Sequence, residues 1–253
     1  MNSMLLALAK NDFKSKYAGS VFGVVWAFVQ PVVTIFIYWF VFGIAFQSGA
    51  VDGAPFVLWL VAGVVPWLFF SEGVGSITSV LPDYSYLVKK MVFPVGQLPY
   101  IRMMSALFVH LFFVGLIFVI AAIYGHYPRI LHFQILYYIA AGAALTFGAG
   151  RIFAVFTAFF KDMKNIVGVI IQIGFWLTPI FWEISALPEN LRFLFSLNPV
   201  YYIVRGYRDT FVYGIAIWQD FWGTVYFWGV AAVLLVLGAF LFERLRPHFA
   251  DVL

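Results

Sequence analysis

The sequence predicts an all-α integral membrane protein: one transmembrane domain over residues 1–253, with six membrane-spanning helices. Three observations lead to this fold class. The chain is 64% hydrophobic and only 10% charged, whereas soluble domains carry about 25% charged residues. Six predominantly apolar segments come close to or exceed the roughly 20 residues that a spanning helix needs. All seven lysines lie in alternate gaps between those segments, which is typical of a chain that crosses a membrane repeatedly.

The first segment, within residues 1–20, is expected to be an amphipathic helix that lies on the membrane and contacts its lipids. Leu5, Ala9, Phe13 and Tyr17 recur on one side of such a helix, and polar side chains lie on the other. A frayed terminus is the alternative. A cleavable signal peptide is not expected, because the charges follow the first apolar residues and the next apolar run is too long.

The spans are expected at residues 21–46, 56–80, 105–124, 133–160, 165–182 and 221–242. Small residues run from Ala140 to Gly150 in the fourth span, and this spacing lets helices pack closely in a bundle or at a subunit interface. Six crossings put both termini on one side of the membrane. That side carries seven lysines and four arginines, against four arginines on the other. The positive-inside rule therefore predicts a protein of the cytoplasmic (inner) membrane with both termini in the cytoplasm.

The cytoplasmic loop after the second span predicts a short helix over residues 83–91. Pro82 and Asp83 are typical of a helix start, with the Asp83 carboxylate as the N-cap, and Lys89 and Lys90 suit the other end. An apolar face recurs at Tyr84, Leu87, Val88 and Met91. This spacing is typical of a helix that inserts into the groove of a partner protein. A helix that lies on lipid headgroups is the alternative.

Residues 187–212, between the fifth and sixth spans, predict two short helices divided by Asn198–Pro199. Their apolar runs are interrupted by charge or proline before they reach spanning length. One interpretation is a pair of re-entrant outer helices, whose irregular backbone must be covered by protein or by a water-filled cavity. The other is a pair of helices that lie flat on the outer surface.

The sequence lacks the motifs of an enzyme. It has no Gly-Lys pair, hence no Walker A loop for ATP, and neither a His-Glu-x-x-His motif nor a cysteine. We therefore expect no catalytic residue, metal site or cofactor in this chain. The net charge of +4 reflects the loop bias and predicts no nucleic-acid partner. Only Glu72 and Arg151 are ionisable groups near the interior of the spans. An ion pair between them is one interpretation, although nothing in the sequence places them side by side.

Aromatic residues are frequent, at 21% of the chain. Belts at the two membrane interfaces account for many of them. Others lie within the spans, namely Trp26, Tyr38, Trp39, Trp59, Trp67, Phe69, Phe175 and Trp176. Composition alone favours packing against lipid. A channel lined with rings is the other interpretation, since aromatic faces suit the C–H-rich faces of sugars.

Several motifs, in order along the chain, resemble the membrane subunit of type-2 ABC exporters for polysaccharides (the O-antigen, capsule and teichoic-acid group). They are NDFKSKYAGSVFGVVWAFVQP at 11–31, GVVPW at 63–67, LVKKMVFPVGQLP at 87–99, FFKDMKNIV at 159–167, TPIFW at 178–182, and Asn198–Pro199. Their order and spacing carry the resemblance along essentially the whole chain. Arg151 departs from the pattern, because an apolar residue is expected there.

The resemblance implies a permease that moves a lipid-linked polysaccharide through a channel between two copies of the chain. Two separate ATPase subunits would bind ATP and Mg²⁺ and dock from the cytoplasm. The docking surfaces implied are the 83–91 helix and the N-terminal helix with Lys10 and Lys14, and the outer helices with Pro188, Asn198 and Pro199 would form a gate. The alternatives are a type-2 exporter of a drug, peptide or lipid, a membrane enzyme acting on lipid-linked sugars, and an ion-coupled carrier.

Overall fold

A computed structural model describes residues 2–51, 53–89 and 94–253. The described residues form helices joined by turns and short extended segments, which confirms the all-α fold class. The α-helices are α1 (Asn2–Lys16), α2 (Trp26–Tyr38), α3 (Phe56–Thr78), α4 (Val80–Asp83), α5 (Ser85–Val88), α6 (Leu98–Ile123), α7 (Gln134–Phe159), α8 (Met163–Leu177), α9 (Glu189–Ser196), α10 (Pro199–Arg208), α11 (Phe221–Leu245) and α12 (Phe249–Val252). A π-helical segment, Trp39–Ala45, continues α2, and another, Asp209–Tyr213, continues α10.

Five helical segments within the described ranges are long and apolar enough to cross a membrane: Gly23–Ala45, Phe56–Thr78, Val95–Ile123, Ile130–Phe159 and Phe221–Val252. They correspond to five of the six predicted spans. The remaining one, 165–182, coincides with α8, which has 15 residues. At about 1.5 Å per residue such a helix is shorter than the roughly 30 Å hydrocarbon core. It ends there because Thr178 precedes Pro179, and a residue before proline adopts extended backbone.

The helix α3 is the centre of the bundle. Most of its residues are buried, and it packs against α6, α7 and α10, while α7 also packs against α11. By contrast, α2 buries only Ala27 and Ile35, and α8 buries only Val167. Both therefore present apolar faces that the described part of this chain leaves uncovered.

The small residues of α7 serve packing within the bundle. A Cβ atom on Gly148 would lie 2.9 Å from the backbone nitrogen of Leu235 in α11, and one on Gly238 would lie 2.9 Å from the Gly148 carbonyl. On another face, a Cβ on Gly150 would lie 2.8 Å from Ile77 of α3. Such distances leave no room for a side chain, so these glycines permit the close helix contacts.

The two outer helices have different surroundings. Seven residues of α10 are buried, and the helix packs against α3, α7 and α11. The helix α9 buries none. The predicted pair of short helices is therefore present, with α10 embedded in the bundle and α9 on its surface. Their placement relative to the membrane stays a prediction.

The first and last helices, α1 and α12, lie at the same end of the bundle. Ala9 of α1, Val88 of α5 and Phe249 of α12 belong to one buried apolar cluster, and the Phe249 ring also contacts Phe159 at the end of α7. Since α1 is helical and packs on α6, the segment is a helix as predicted rather than a frayed terminus.

Candidate functional site

A hydrogen-bonded group at this end of the bundle, which we call the Asp12 hub, consists of Asp12, Asp83, Tyr84, Arg102 and Ser105. The Asp12 side chain is only 3% exposed. Its carboxylate accepts a hydrogen bond from the Tyr84 hydroxyl and lies 2.7 Å from the Ser105 hydroxyl and 3.3 Å from Arg102 Nη1. A buried carboxylate needs such partners. Asp12 therefore fixes α1 against α6 and against the segment that follows α3.

Arg102 joins this carboxylate to a second one. Its Nη2 donates to Asp83 Oδ2 at 2.7 Å, which also accepts from the Ser79 hydroxyl at 3.0 Å. The guanidinium carbon lies 5.2 Å from the centroid of the Tyr84 ring, within the range of a cation–π contact. Burial, followed by the bond to Asp12, raises the pKa of the Tyr84 phenol above its usual range. The phenol therefore stays protonated and remains the donor.

The loop after α3, residues 79–89, is here called the connector segment, and its structure differs from the predicted single helix. It contains two one-turn helices, α4 and α5, separated at Tyr84. Asp83 ends α4 and caps no helix, so its predicted N-cap role is wrong. The physical reason is that Arg102 and Ser79 already bind its carboxylate. The predicted end of the helix, with Lys90 and Met91, lies outside the described residues.

The predicted apolar face of the connector segment turns toward this chain's own core. Val88 is 5% exposed and belongs to the buried cluster of Ala9 and Phe249. Tyr84 and Leu87 are half-buried against the same cluster. Tyr86, which is 58% exposed, and Lys89 point away from it. The part of this segment that a partner can reach is therefore the Tyr86 and Lys89 side.

On α1, Lys10 and Lys14 are exposed, as expected for the face opposite Ala9. The last lysine of the helix, Lys16, forms an ion pair with Glu72 of α3. Arg151 lies elsewhere: its guanidinium carbon is 5.4 Å and 5.0 Å from the ring centroids of Phe147 and Phe242. A Glu72–Arg151 pair is therefore not formed.

Sequence reasoning missed Asp12, Arg102 and Ser105. Asp12 lies three residues after Ala9, on the packed side of α1, and Arg102 and Ser105 are three apart and share one face of α6. These spacings indicate isolated polar side chains on packed faces. They do not identify the partners, because the bonds join residues up to 93 positions apart in sequence.

A buried arginine anchors the opposite end of the bundle. Arg208 of α10 is 4% exposed, donates to the Pro179 carbonyl at 2.7 Å and to the Ile180 carbonyl, and lies 3.5 Å above the Trp59 ring. A Cβ on Gly63 would lie 2.6 Å from its Nη2, so this glycine makes room for the guanidinium. In the sequence, Arg208 is recognisable only as one of the charges between the fifth and sixth predicted spans.

The predicted gate residues lie beside this anchor. Asn198 is the N-cap of α10, where its side-chain oxygen accepts from the Val200 backbone at 3.0 Å and its amide donates to the Thr178 hydroxyl at 2.9 Å. Pro199 is the first residue of α10. Pro188 precedes α9 and is exposed. Asn198 thus joins α10 to the chain after α8, and the gating role stays a prediction.

The aromatic residues predicted to line a channel separate into two groups. Trp59, Trp67 and Phe69 are buried in the bundle. The others are accessible to different degrees: Tyr38, Trp39 and Phe175 are half-buried, and Trp26 and Trp176 are exposed. In this group the rings of Tyr38 and Phe175 lie 5.7 Å apart, which joins α2 to α8. Only the second group is placed to meet a substrate outside this subunit's core.

Comparisons with a protein-family model and with known proteins point to the same class of membrane transporter. The chain matches the family model described as ABC-2 type transporter over residues 4–212. It is 28% identical over 252 residues to an O-antigen export system permease protein RfbA of Klebsiella pneumoniae, a match that covers 99% of this chain and 95% of that protein. A permease of the same name from Myxococcus xanthus is 27% identical over 252 residues, covering 98% of this chain and 94% of the relative.

Proposed function

Because this chain belongs to the ABC-2 type transporter family, we propose that it is the permease subunit of an ATP-driven exporter for a lipid-linked polysaccharide. The observation that carries the proposal is its end-to-end similarity to permeases named for O-antigen export. That similarity continues past residue 212, where the family match ends, and so includes α11. It is a multi-pass membrane protein, and the ATP would be hydrolysed by a separate partner subunit.

The proposal includes six membrane crossings with both termini in the cytoplasm. Five segments have spanning length, and α1 and α12 contribute to one buried apolar cluster at the same end of the bundle. A chain whose termini share one side crosses an even number of times. We therefore assign the sixth crossing to α8 together with the non-helical residues 178–182, which Arg208 and Asn198 hold against the bundle. Cover by protein is what such irregular backbone needs within a membrane.

Two copies of the chain would form the channel. The support lies in α2 and α8, whose apolar faces are largely uncovered in the described part of the chain. Helices of this kind face either lipid or another subunit. Their accessible rings, Trp26 and Trp176, together with the half-buried Tyr38, Trp39 and Phe175, would line the path. The gate would be formed by α9 and α10.

The ATPase would bind at the end that holds both termini. The surfaces available there are Tyr86 and Lys89 of the connector segment, and Lys10 and Lys14 of α1. The Asp12 hub links those two surfaces by a buried, charge-assisted network. Motion imposed on the connector segment would therefore be passed to α1 and α6. Val88 would act within this chain, because its side chain packs in the core.

The function is tested by deleting the gene and measuring surface polysaccharide and lipid-linked polysaccharide separately. We expect the surface polymer to disappear and the lipid-linked polymer to accumulate inside the cell, with both reversed by the parental gene. A drug, peptide or lipid exporter would leave surface polymer unchanged on deletion, and that result would exclude the proposal.

A further inference from the structure

The helices α1, α2, α3 and α6 line a cavity of about 190 Å³. At one end it is bordered by Lys16, Glu72 and Arg102, and at the other it reaches Thr34 and His110. An open polar depression shares the charged end and continues to Ser79 and Asp83 of the connector segment. A polar route therefore runs from the proposed cytoplasmic surface into the interior of the bundle.

The hydroxyl groups on the cavity wall are oriented by their own helices. Thr34 donates to the Gln30 carbonyl at 2.9 Å, Ser71 to the Leu68 carbonyl at 3.1 Å and Ser76 to the Gly73 carbonyl at 3.2 Å. Each hydroxyl oxygen keeps lone pairs free to accept. These hydroxyl groups offer acceptors, and Lys16, Gln30 and Arg102 of the same wall carry donors, so the wall suits an occupant that both donates and accepts.

His110 lines the inner end of the cavity. Its side chain is buried, at 3% exposure, and its ring stacks on Phe69 with centroids 4.4 Å apart. Nε2 lies 2.6 Å from the Tyr207 hydroxyl. Nδ1 has no hydrogen-bond partner among the residues that the structure describes. A buried polar atom without a partner is unfavourable. Nδ1 is enclosed by protein atoms, so an occupant of the cavity would bond to it only after a rotation of the His110 ring.

The charges around the cavity are balanced. Lys16 is paired with Glu72, and Arg102 with Asp12, so two cations face two carboxylates and no positive charge is in excess. This charge balance favours a neutral occupant over an anionic phosphate. The remaining lining is partly aromatic, with Phe13, Tyr17, Trp26 and Phe113, and aromatic faces suit the C–H-rich face of a sugar ring.

We propose that this cavity binds one neutral sugar unit of the exported glycan, with the ring against the aromatic wall and hydroxyls toward Thr34, Ser76 and His110. This inference rests on the proposed function. The cavity is smaller than the roughly 300–1,000 Å³ of sites for drug-sized ligands, so it holds a single unit rather than a chain. Binding would occur within one subunit, on the side from which the polymer is loaded.

The test uses the absence of cysteine from the natural chain. Thr34→Cys introduces a unique thiol in the cavity, Ser76→Cys is a second variant nearer its mouth, and Ser20→Cys is an exposed control outside it. Inside-out membrane vesicles with the complete exporter and a hydrolysis-deficient ATPase are treated with a membrane-impermeant thiol reagent. One set of vesicles comes from cells that make the lipid-linked polysaccharide, and the other from cells blocked in the first sugar transfer, which retain the phosphorylated lipid carrier.

We expect the thiol at position 34 to react in the blocked vesicles, because the cavity contains water. It should be protected in the glycan-containing vesicles, about 10-fold if the free glycan is at about ten times its Kd. The thiol at position 20 should react equally in both. Absence of reaction in both sets would mean a dry or lipid-filled cavity, and equal reaction in the two sets would mean that no sugar binds. Each of these results overturns the inference. If the Thr34 variant does not fold, position 76 decides by the same criteria.

The failure of this inference is distinguishable from failure of the proposed function. Surface polymer is measured in parallel in cells that carry the parental chain and active ATPase, with gene-deleted cells for comparison. Export that depends on the chain, combined with an unprotected thiol, overturns only the sugar site. Export that does not depend on the chain overturns both.

Discussion

The Asp12→Asn substitution tests whether the hub holds α1 in place. Asparagine keeps the shape of the side chain but loses its charge. Its NH₂ group is itself a donor, and it must face at least one of the three donors that now bind the carboxylate, namely Tyr84, Ser105 and Arg102. Each hydrogen bond to a charged group contributes about 1.5–3 kcal/mol. Arg102 keeps its bond to Asp83, so we expect docking of α1 to weaken by about 2–3 kcal/mol.

The assay measures how often α1 detaches. Ala9 is fully buried under α6, and a cysteine there, in the cysteine-free chain, reacts with a thiol reagent only when the helix opens. If opening and closing are fast, a loss of about 2–3 kcal/mol accelerates labelling by about 30- to 150-fold. Asp162→Asn, an identical change at an exposed position, is the matched control and should leave the labelling rate unchanged.

The reasoning would be refuted if Asp12→Asn labelled no faster than the parental cysteine variant. A second arm uses Tyr84→Phe, which removes one donor and leaves the carboxylate charged. In a double-mutant cycle its effect and that of Asp12→Asn should be less than additive, because both variants break the same bond. Strict additivity would mean that the Tyr84–Asp12 contact contributes nothing to docking.

Three further predictions follow from the geometry. Lys89→Glu on the connector segment should reduce co-purification of the ATPase at normal permease abundance, whereas Lys161→Glu should not; equal co-purification of both would contradict the docking surface. Gly148→Val should lower abundance, because a side chain would overlap the α11 backbone at a cost of about 1–3 kcal/mol; unchanged thermal stability in detergent would contradict the close packing. Arg208→Leu should lower the melting temperature more than Arg192→Leu. The first change leaves buried carbonyl groups without their hydrogen-bond donor, whereas Arg192 is exposed. Equal shifts in melting temperature would contradict the anchoring role of Arg208.

Much of the fold follows from the hydrophobic pattern. Apolar length identified the five long crossings, and the Asn198–Pro199 pair identified the boundary between α9 and α10, because asparagine caps a helix and proline suits its first turn. The same reasoning overestimated α8. The apolar composition continues to Trp182, but Pro179 ends the helix. Composition alone does not show this change from helical to non-helical backbone.

The candidate site was less accessible to sequence reasoning. The connector segment was found, yet the face assigned to a partner contains Val88, which packs in the chain's own core. An apolar stripe at helical spacing predicts burial without identifying what covers it. Asp12 and Arg102 were missed for a related reason. Their structural role depends on contacts between distant parts of the chain, and a single sequence does not show which residues are paired.

The central claim, that this chain and an ATPase together export a lipid-linked polysaccharide, is tested most directly by reconstitution. The permease and its proposed partner ABC ATPase are placed in vesicles with labelled lipid-linked polymer, and movement of the polymer into the lumen is measured with ATP present. We predict ATP-dependent uptake that disappears with a hydrolysis-deficient ATPase or without the permease. Uptake that proceeds without ATP hydrolysis, or that follows an imposed proton or sodium gradient, would contradict the account.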